Sequence, residues 1–254
     1  MKVFLQMNSA SKLEIEELAI KRYFENDNTF REQNGQEKIE IIPFYKKHML
    51  QGKVNFTKDD FVSGEIQTMH YVFKKLGVDY SYEDYPEILK KYLHRNIWED
   101  IKGNITNEII ENDHLKKPVF VKPKDKLKAF TGFVCDGIDD LWKFNNVSDK
   151  TKIICSDPVC FVNEYRFYII DGEIKAYALC PGNYSDLDLD ISVVNNAAKE
   201  YGKTCVMDFG KLTTGETALI EVNEAYSVGL YNDSCYSQYV KMLLKRWNEI
   251  VGEN

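Results

Sequence analysis

No apolar run in the chain approaches the roughly 18 residues that a membrane-crossing helix needs, so no span is expected. A basic excess is also missing. Lysine and arginine number 33 against 40 acidic residues, a net charge of −7. That balance argues against broad binding to nucleic acid or to an anionic membrane, both of which rely on basic patches. A small anion in a local cationic pocket stays compatible with it. The four histidines (His48, His70, His94, His114) are isolated, and the six cysteines (Cys135, Cys155, Cys160, Cys180, Cys205, Cys235) form no CxxC, so no zinc spacing is present. Several of these cysteines lie in apolar strand-like runs, where the free thiol behaves as a small hydrophobe. They read as reduced, and the protein as cytoplasmic. The opening MKVFLQMNSASKLE is too short and polar for a signal peptide and reads as a first strand. GxGxxG, GxSxG and HExxH do not occur, and none of the Gly-Lys pairs starting at 52, 202 and 210 has a glycine five residues earlier. These absences argue against a Rossmann dehydrogenase, an α/β-type serine hydrolase, a zincin and a P-loop enzyme.

What is present suits a globular protein of two or three subdomains. Residues 2–6 read as a strand, Leu13–Phe24 as a charged amphipathic helix, and Asn26–Lys38 as a polar surface loop. A second strand, Ile39–Phe44, is expected to end at Pro43. Phe61-Val62 runs through Ser63-Gly64-Glu65 into a helix ending at Leu76, with Ile66, Met69, Val72, Phe73 and Leu76 at helical spacing. Such a helix start could receive an anion, but a Ser N-cap explains the same residues. Tyr85–Leu93 reads as a short helix and 94–104 as a linker. From Lys117 the texture turns to short strands: Pro118–Pro123, Phe130–Val134 and Lys152–Cys155, with a helix at Asp139–Asn145. Val162–Asp171 and Glu173–Leu179 pair around Asp171-Gly172, a strong hairpin signal. A helix within Leu187–Tyr201 follows, and Tyr236–Val251 closes as an amphipathic helix. The pattern implies an α+β or α/β protein: an N-terminal α/β part, a small β-rich lobe, and a larger antiparallel lobe backed by helices.

Candidate chemistry concentrates in Thr204–Tyr231. The runs Cys205–Phe209 and Ala218–Asn223 read as a β-hairpin around Thr214-Gly215, which sets Asp208 opposite Glu221 and puts Glu221 and Asn223 on one face. Two carboxylates at cross-strand distance repel unless a cation or proton lies between them. Three oxygen-bearing side chains beside a ligand's phosphates suit Mg²⁺; a solvated polar face has the same spacing. Six lysines lie between 116 and 128, as a solubilising loop would have. Lys122 differs, because Pro123 holds it in extended geometry and so aims it. Arg166 sits in a strand with Glu164 two residues earlier on the same face. Either the two residues form an ion pair, or the guanidinium fork clamps a phosphate.

The ordered blocks Val121-Lys122-Pro123, Lys128–Phe133, Glu164-Tyr165-Arg166, and Asp208 with Glu221-Val222-Asn223 resemble the ATP-grasp superfamily. The nearest resemblance is to the divergent clade named for an arginine and two lysines, which takes in bacterial and phage proteins and a eukaryotic cell-division-cycle-type chaperone that assembles an initiation factor. Tyr85–Trp98 and Glu221–Tyr231 also look like the bacterial members, and the resemblance covers roughly residues 60–250. It implies an α+β ATP-grasp fold: an N-terminal subdomain (1–112), then a small lobe (113–158) and a large lobe (159–254) closing on ATP. By motif position, Lys122, Lys128 and Arg166 would contact phosphates, with Lys128 and Arg166 also acting in catalysis. Cys155, Ser156, Asp157 and Val159 would face adenine with Glu164 nearby, and Asp208, Glu221 and Asn223 would hold Mg²⁺. The loop Lys124–Phe130 carries lysines where typical ATP-grasp ligases carry glycines, which puts their lid mechanism in doubt here. The implied activity is a carboxylate–amine ligase acting through an acyl phosphate on an amino acid, peptide or protein. The alternative is an ATP-binding assembly factor without turnover.

Overall fold

The computed structural model describes residues 1–254 apart from 81–82, 125–128, 145, 183–187 and 253–254. In chain order its first elements are β1 (Lys2–Met7), α1 (Ile15–Gln33), β2 (Glu40–Tyr45), α2 (Lys46–Leu50), β3 (Phe61–Ser63), α3 (Ile66–Lys75), β4 (Ile97–Ile101) and α4 (Lys102–Asn112). There follow β5 (His114–Pro123), β6 (Phe133–Gly137), β7 (Lys152–Ser156), β8 (Phe161–Ile170), β9 (Glu173–Leu179), α5 (Ile191–Tyr201), β10 (Cys205–Leu212), β11 (Thr217–Asn223) and α6 (Tyr236–Gly252). Packing divides the chain into two compact units, Met1–Tyr92 with Val162–Asn254, and Leu93–Phe161. No described helix is long and apolar enough to cross a membrane.

The first unit holds a parallel sheet of order β2-β1-β3 and an antiparallel sheet of order β11-β10-β8-β9. One hydrophobic core joins them, running from Val3, Leu5 and Ile20 to Tyr168, Val206 and Trp247. Trp247 of α6 packs its ring 5.9 Å from both Phe61 and Phe73. Burying an aromatic or branched side chain this way contributes about 1.5–3 kcal/mol, and α6 buries Tyr239, Val240, Leu243, Trp247 and Val251 together. The N-terminal residues therefore share a core with residues of the C-terminal part of the chain.

Several local expectations need correction. Asn26–Lys38 is helical as far as Gln33. Its polar side chains bond outward instead of breaking the helix: Arg31 pairs with Asp27 at 2.7 Å, and Asn28 exchanges bonds of 2.8 and 2.7 Å with the backbone of Ile39. Pro43 lies inside β2, paired with Leu5, as an edge strand permits. Ser63 does not cap α3; Glu65 holds that position without a side-chain cap bond, and Ser63 Oγ donates to Glu17.

The second unit is a sheet of order β4-β7-β5-β6 with α4. Its core is built on Ile109, Val121, Phe144, Ile153 and Cys155. The stretch 94–104, expected as a linker, supplies β4, antiparallel to β7, and opens α4. The strand expected at Phe130–Val134 starts only at Phe133. Gly132 lies so close to the Phe120 ring that a Cβ would come within 2.7 Å of it, and Phe130 turns into the core. The helices expected at Tyr85–Leu93 and Asp139–Asn145 are 3-10 segments at Glu87–Tyr92, in the first unit, and Ile138–Phe144, in the second.

Candidate active site

The hairpin β10–β11 places Asp208 opposite Glu221. Near the turn the pairing runs Lys211 to Thr217 and Phe209 to Leu219, so the loop is centred on Thr214 alone. A bulge between Asp208 and Phe209 then shifts the register by one residue, which brings Glu221 rather than Ile220 against Asp208. Asn223 sits two residues on, its Nδ2 donating to Asp208 Oδ2 at 2.9 Å and to Glu221 Oε1 at 3.1 Å. The partial positive charge of the amide thus lies between the two carboxylates.

Beside β10 in the sheet runs β8, and it delivers Arg166. Arg166 Nε donates to Asp208 Oδ1 at 2.9 Å and Nη2 to Oδ2 at 2.7 Å, a bidentate pair with both side chains buried. Its Nη1 makes a long 3.4 Å contact with the carbonyl of Gly229, and the guanidinium stacks 3.9 Å from the Tyr231 ring centre. The arginine's bidentate partner is thus Asp208, while Glu164 Oε1 accepts from Cys180 Sγ at 3.3 Å. Glu164, Cys180 and Asp208 bring one ligand atom each within 4.8 Å of one another.

Burial pushes Asp208 up to about 6 against the pull of Arg166, with Glu221 and Glu164 adding to the rise. Despite its own burial, Arg166 is held firmly charged by Asp208. The Cys180 thiol is raised by burial and by Glu164, so it stays protonated. Donor chemistry here fits a hard divalent cation: carboxylate and amide oxygens, in a setting where a positive group already separates the acids.

Other expected residues lie in the second unit. Lys122 is on β5 opposite Ile154 and followed by Pro123 within the strand, and its Cβ is 3.3 Å from where a side chain on Gly132 would start. Lys128 lies outside the described residues. Cys155 and Ser156 are buried at the end of β7 and paired on both sides, with β4 and β5. Asp157 is tied to Asn96, accepting from its backbone and side chain at 3.1 and 2.7 Å. Val159 is half-buried beyond it.

The family model for the ATP-grasp domain, R2K clade family 2, matches residues 92–242, more than half of the chain. The chain belongs to this ATP-grasp family. Comparison with curated proteins finds no match. Among solved structures, the D-alanine–D-alanine ligase of Bacillus anthracis complexed with ATP is similar at 15% identity and TM-score 0.53, covering 100% of this chain and 99% of that one. VanG D-Ala:D-Ser ligase of Enterococcus faecalis is similar at 14% and 0.55, covering 96% and 98%. Macrocyclase MdnC of Microcystis aeruginosa, bound to its precursor peptide MdnA, is similar at 8% and 0.52, covering 96% and 99%. At these identities the likeness shows the ATP-grasp fold. Within the R2K match, sequence reasoning named Arg166, Asp208, Glu221 and Asn223 but missed Gly229 and Tyr231. Their block, Glu221–Tyr231, carried a family resemblance without any residue-level role.

Proposed function

We propose that the chain is an ATP- and Mg²⁺-dependent carboxylate–amine ligase. The observation that carries this reading is the cluster around Asp208, which pairs with Arg166, is bridged by Asn223 to Glu221 and lies beside Glu164 and Cys180, inside the segment matched by the ATP-grasp family. Asp208, Glu221 and Asn223 would hold the metal, which when bound supplies charge neutralisation to the phosphoryl group in transfer. Arg166 keeps two nitrogens on Asp208, which leaves Nη1, held among the described residues by a long contact to Gly229, to meet a phosphate oxygen. Asp208 thereby orients the arginine by its edge, and Tyr231 stacks on the guanidinium. Lys122 and Lys128 are assigned to phosphate contacts, and the stretch Cys155–Val159 to adenine, by their motif positions. The names of the similar structures, two ligases and a macrocyclase, support a reaction that activates a carboxylate for attack by an amine, the attack releasing phosphate.

ADP formation with Mg-ATP and pools of amino acids and peptides tests the assignment. Glu221→Gln is expected to lower turnover by about 100-fold or more, the scale of a lost electrostatic stabiliser at a reacting centre. Turnover at the wild-type rate in that variant would remove the metal assignment. Tight ATP binding with no ADP formed under any pool would replace the ligase by a nucleotide-gated assembly factor.

A further inference from the structure

The first unit also contains a cavity that shares no residue with the candidate active site. A cavity of about 510 Å³ lies at the carboxyl ends of β1, β2 and β3. In open parallel sheets this is where ligands bind, at the strand from which the chain order departs in both directions. Here that strand is β1, with β2 on one side and β3 on the other. The volume suits a small molecule.

The lining is bipolar. Glu14 and Glu17 come from the start of α1, and Lys46 and Lys47 from the start of α2. Glu17 is only 7% exposed; Ser63 Oγ donates to it at 3.0 Å, and no cation pairs with it among the described residues. A buried carboxylate normally has a cationic partner or gives up its charge. This one lines a cavity, where a ligand could supply the missing cation. Glu14 is fixed by Asn8 Nδ2 at 2.6 Å, in a loop whose turn Asn8 Oδ1 also ties, accepting from Ala10 N at 2.9 Å and Lys12 N at 3.0 Å. Lys46 is engaged by Glu65 and Gln67, whereas Lys47 is exposed at the cavity. The wall at Gly64 is closely fitted, since a side chain there would collide with Gln6.

We infer that this cavity binds a small zwitterion, an amino acid or a similarly short amino-carboxylate, with its ammonium against Glu17 and its carboxylate towards Lys47. The loop after β11 is bonded to the cavity's surroundings. Ser227 Oγ donates to the Gly64 carbonyl at 2.9 Å, and Leu230 N to Glu16 Oε1 at 3.1 Å. The same loop supplies Gly229 and Tyr231 to Arg166. The inference needs no ATP chemistry and stands apart from the ligase reading.

Calorimetric titration of the full chain without nucleotide tests it, with glycine, L-alanine, D-alanine and β-alanine as probes and their N-acetyl forms as controls. At least one free amino acid is expected to bind saturably at one site, with its N-acetyl form weakened at least tenfold. Glu17→Gln keeps the size and the acceptor for Ser63 and should weaken that probe at least tenfold; Lys47→Ala, an exposed change, should weaken it by a smaller factor. No saturable binding by any of the four probes overturns the inference, as does unchanged affinity in folded Glu17→Gln. A separate ATP titration of the wild-type protein keeps the two readings apart, since ATP binding without amino-acid binding would sink only the cavity.

Discussion

Replacing Glu17 with glutamine should make the protein more stable, and only above a defined pH. Burial raises this carboxyl from an ordinary 4.5 to about 7; the bond from Ser63 lowers it, and Glu16 and Glu14 add to the rise. Between those two values the native protein holds a proton that the unfolded chain releases. Stability is therefore fully present below about 4.5 and lost as pH rises through about 7. At 1.36 kcal/mol for each tenfold change in proton affinity, the full loss is about 3 kcal/mol. Glutamine cannot ionise, so the variant lacks this slope while Ser63 still has an oxygen to bond. The two proteins should match near pH 4 and separate by about 3 kcal/mol at pH 8, or by roughly 6–12 °C in melting temperature for a unit of this size. Urea titration followed by tryptophan fluorescence suits the question. Trp247 is 2% exposed in the core of the first unit, while Trp98 and Trp142 of the second are 38% and 74% exposed, so the change in signal is dominated by the unit that holds Glu17. A wild-type–variant difference that stays constant from pH 4 to pH 8 would refute the reasoning.

Two structural predictions concern the scaffold around the acidic cluster. Arg246 of α6 binds Glu224 at 2.9 and 3.2 Å, Glu249 at 2.9 Å and the Tyr80 hydroxyl at 2.8 Å. Arg246→Leu would leave the largely covered Glu224 side chain without its cation and should cost about 3–5 kcal/mol; Arg246→Leu with Glu224→Leu should recover most of that, and a double-mutant cycle in urea measures both. At the β8–β9 turn, Asp171 and Gly172 have φ of 50° and 75°, and a Cβ on Gly172 would stand 3.0 Å from the Ala198 carbonyl. Gly172→Ala should therefore lower stability by more than about 1 kcal/mol, seen as a reduced urea midpoint.

Residue types and local pairing were legible in the sequence; the partners that fix their chemistry were not. The Asp171-Gly172 turn follows from its dipeptide, because the left-handed dihedrals it needs are those that asparagine, aspartate and glycine accept. The pairing of Asp208 with Glu221 also emerges from counting outwards from the turn, but by compensation. The loop is one residue longer than a two-residue hairpin turn, and the bulge restores the count. The second half of helix α1 is not legible because Asn, Asp and Thr favour turns locally, while their actual partners, such as the backbone of Ile39, lie outside the helix. Glu17 reads as one more acidic residue on a charged helix, since nothing in its neighbours tells that its face is turned inward.

The acidic cluster shows most sharply why partners escape a sequence reading. Glu164 lies two residues from Arg166 and is the natural local partner, yet the guanidinium turns to Asp208, 42 positions away in the chain. That choice depends on β8 standing next to β10, a strand order set by long-range packing rather than by either strand's residues. It also changes what the site can do. A guanidinium paired with its strand neighbour would leave Asp208 and Glu221 facing each other with only an amide between them. Paired with Asp208, it leaves Glu164 and Glu221 as carboxylates that Arg166 does not engage in a bidentate bond, and leaves its Nη1 as the nitrogen with the weakest hold. The carboxylates of Asp208 and Glu221, bridged by the Asn223 amide, are oxygen donors of the kind a divalent cation takes. The same arginine then offers a donor of opposite sign to the phosphates that such a cation would accompany.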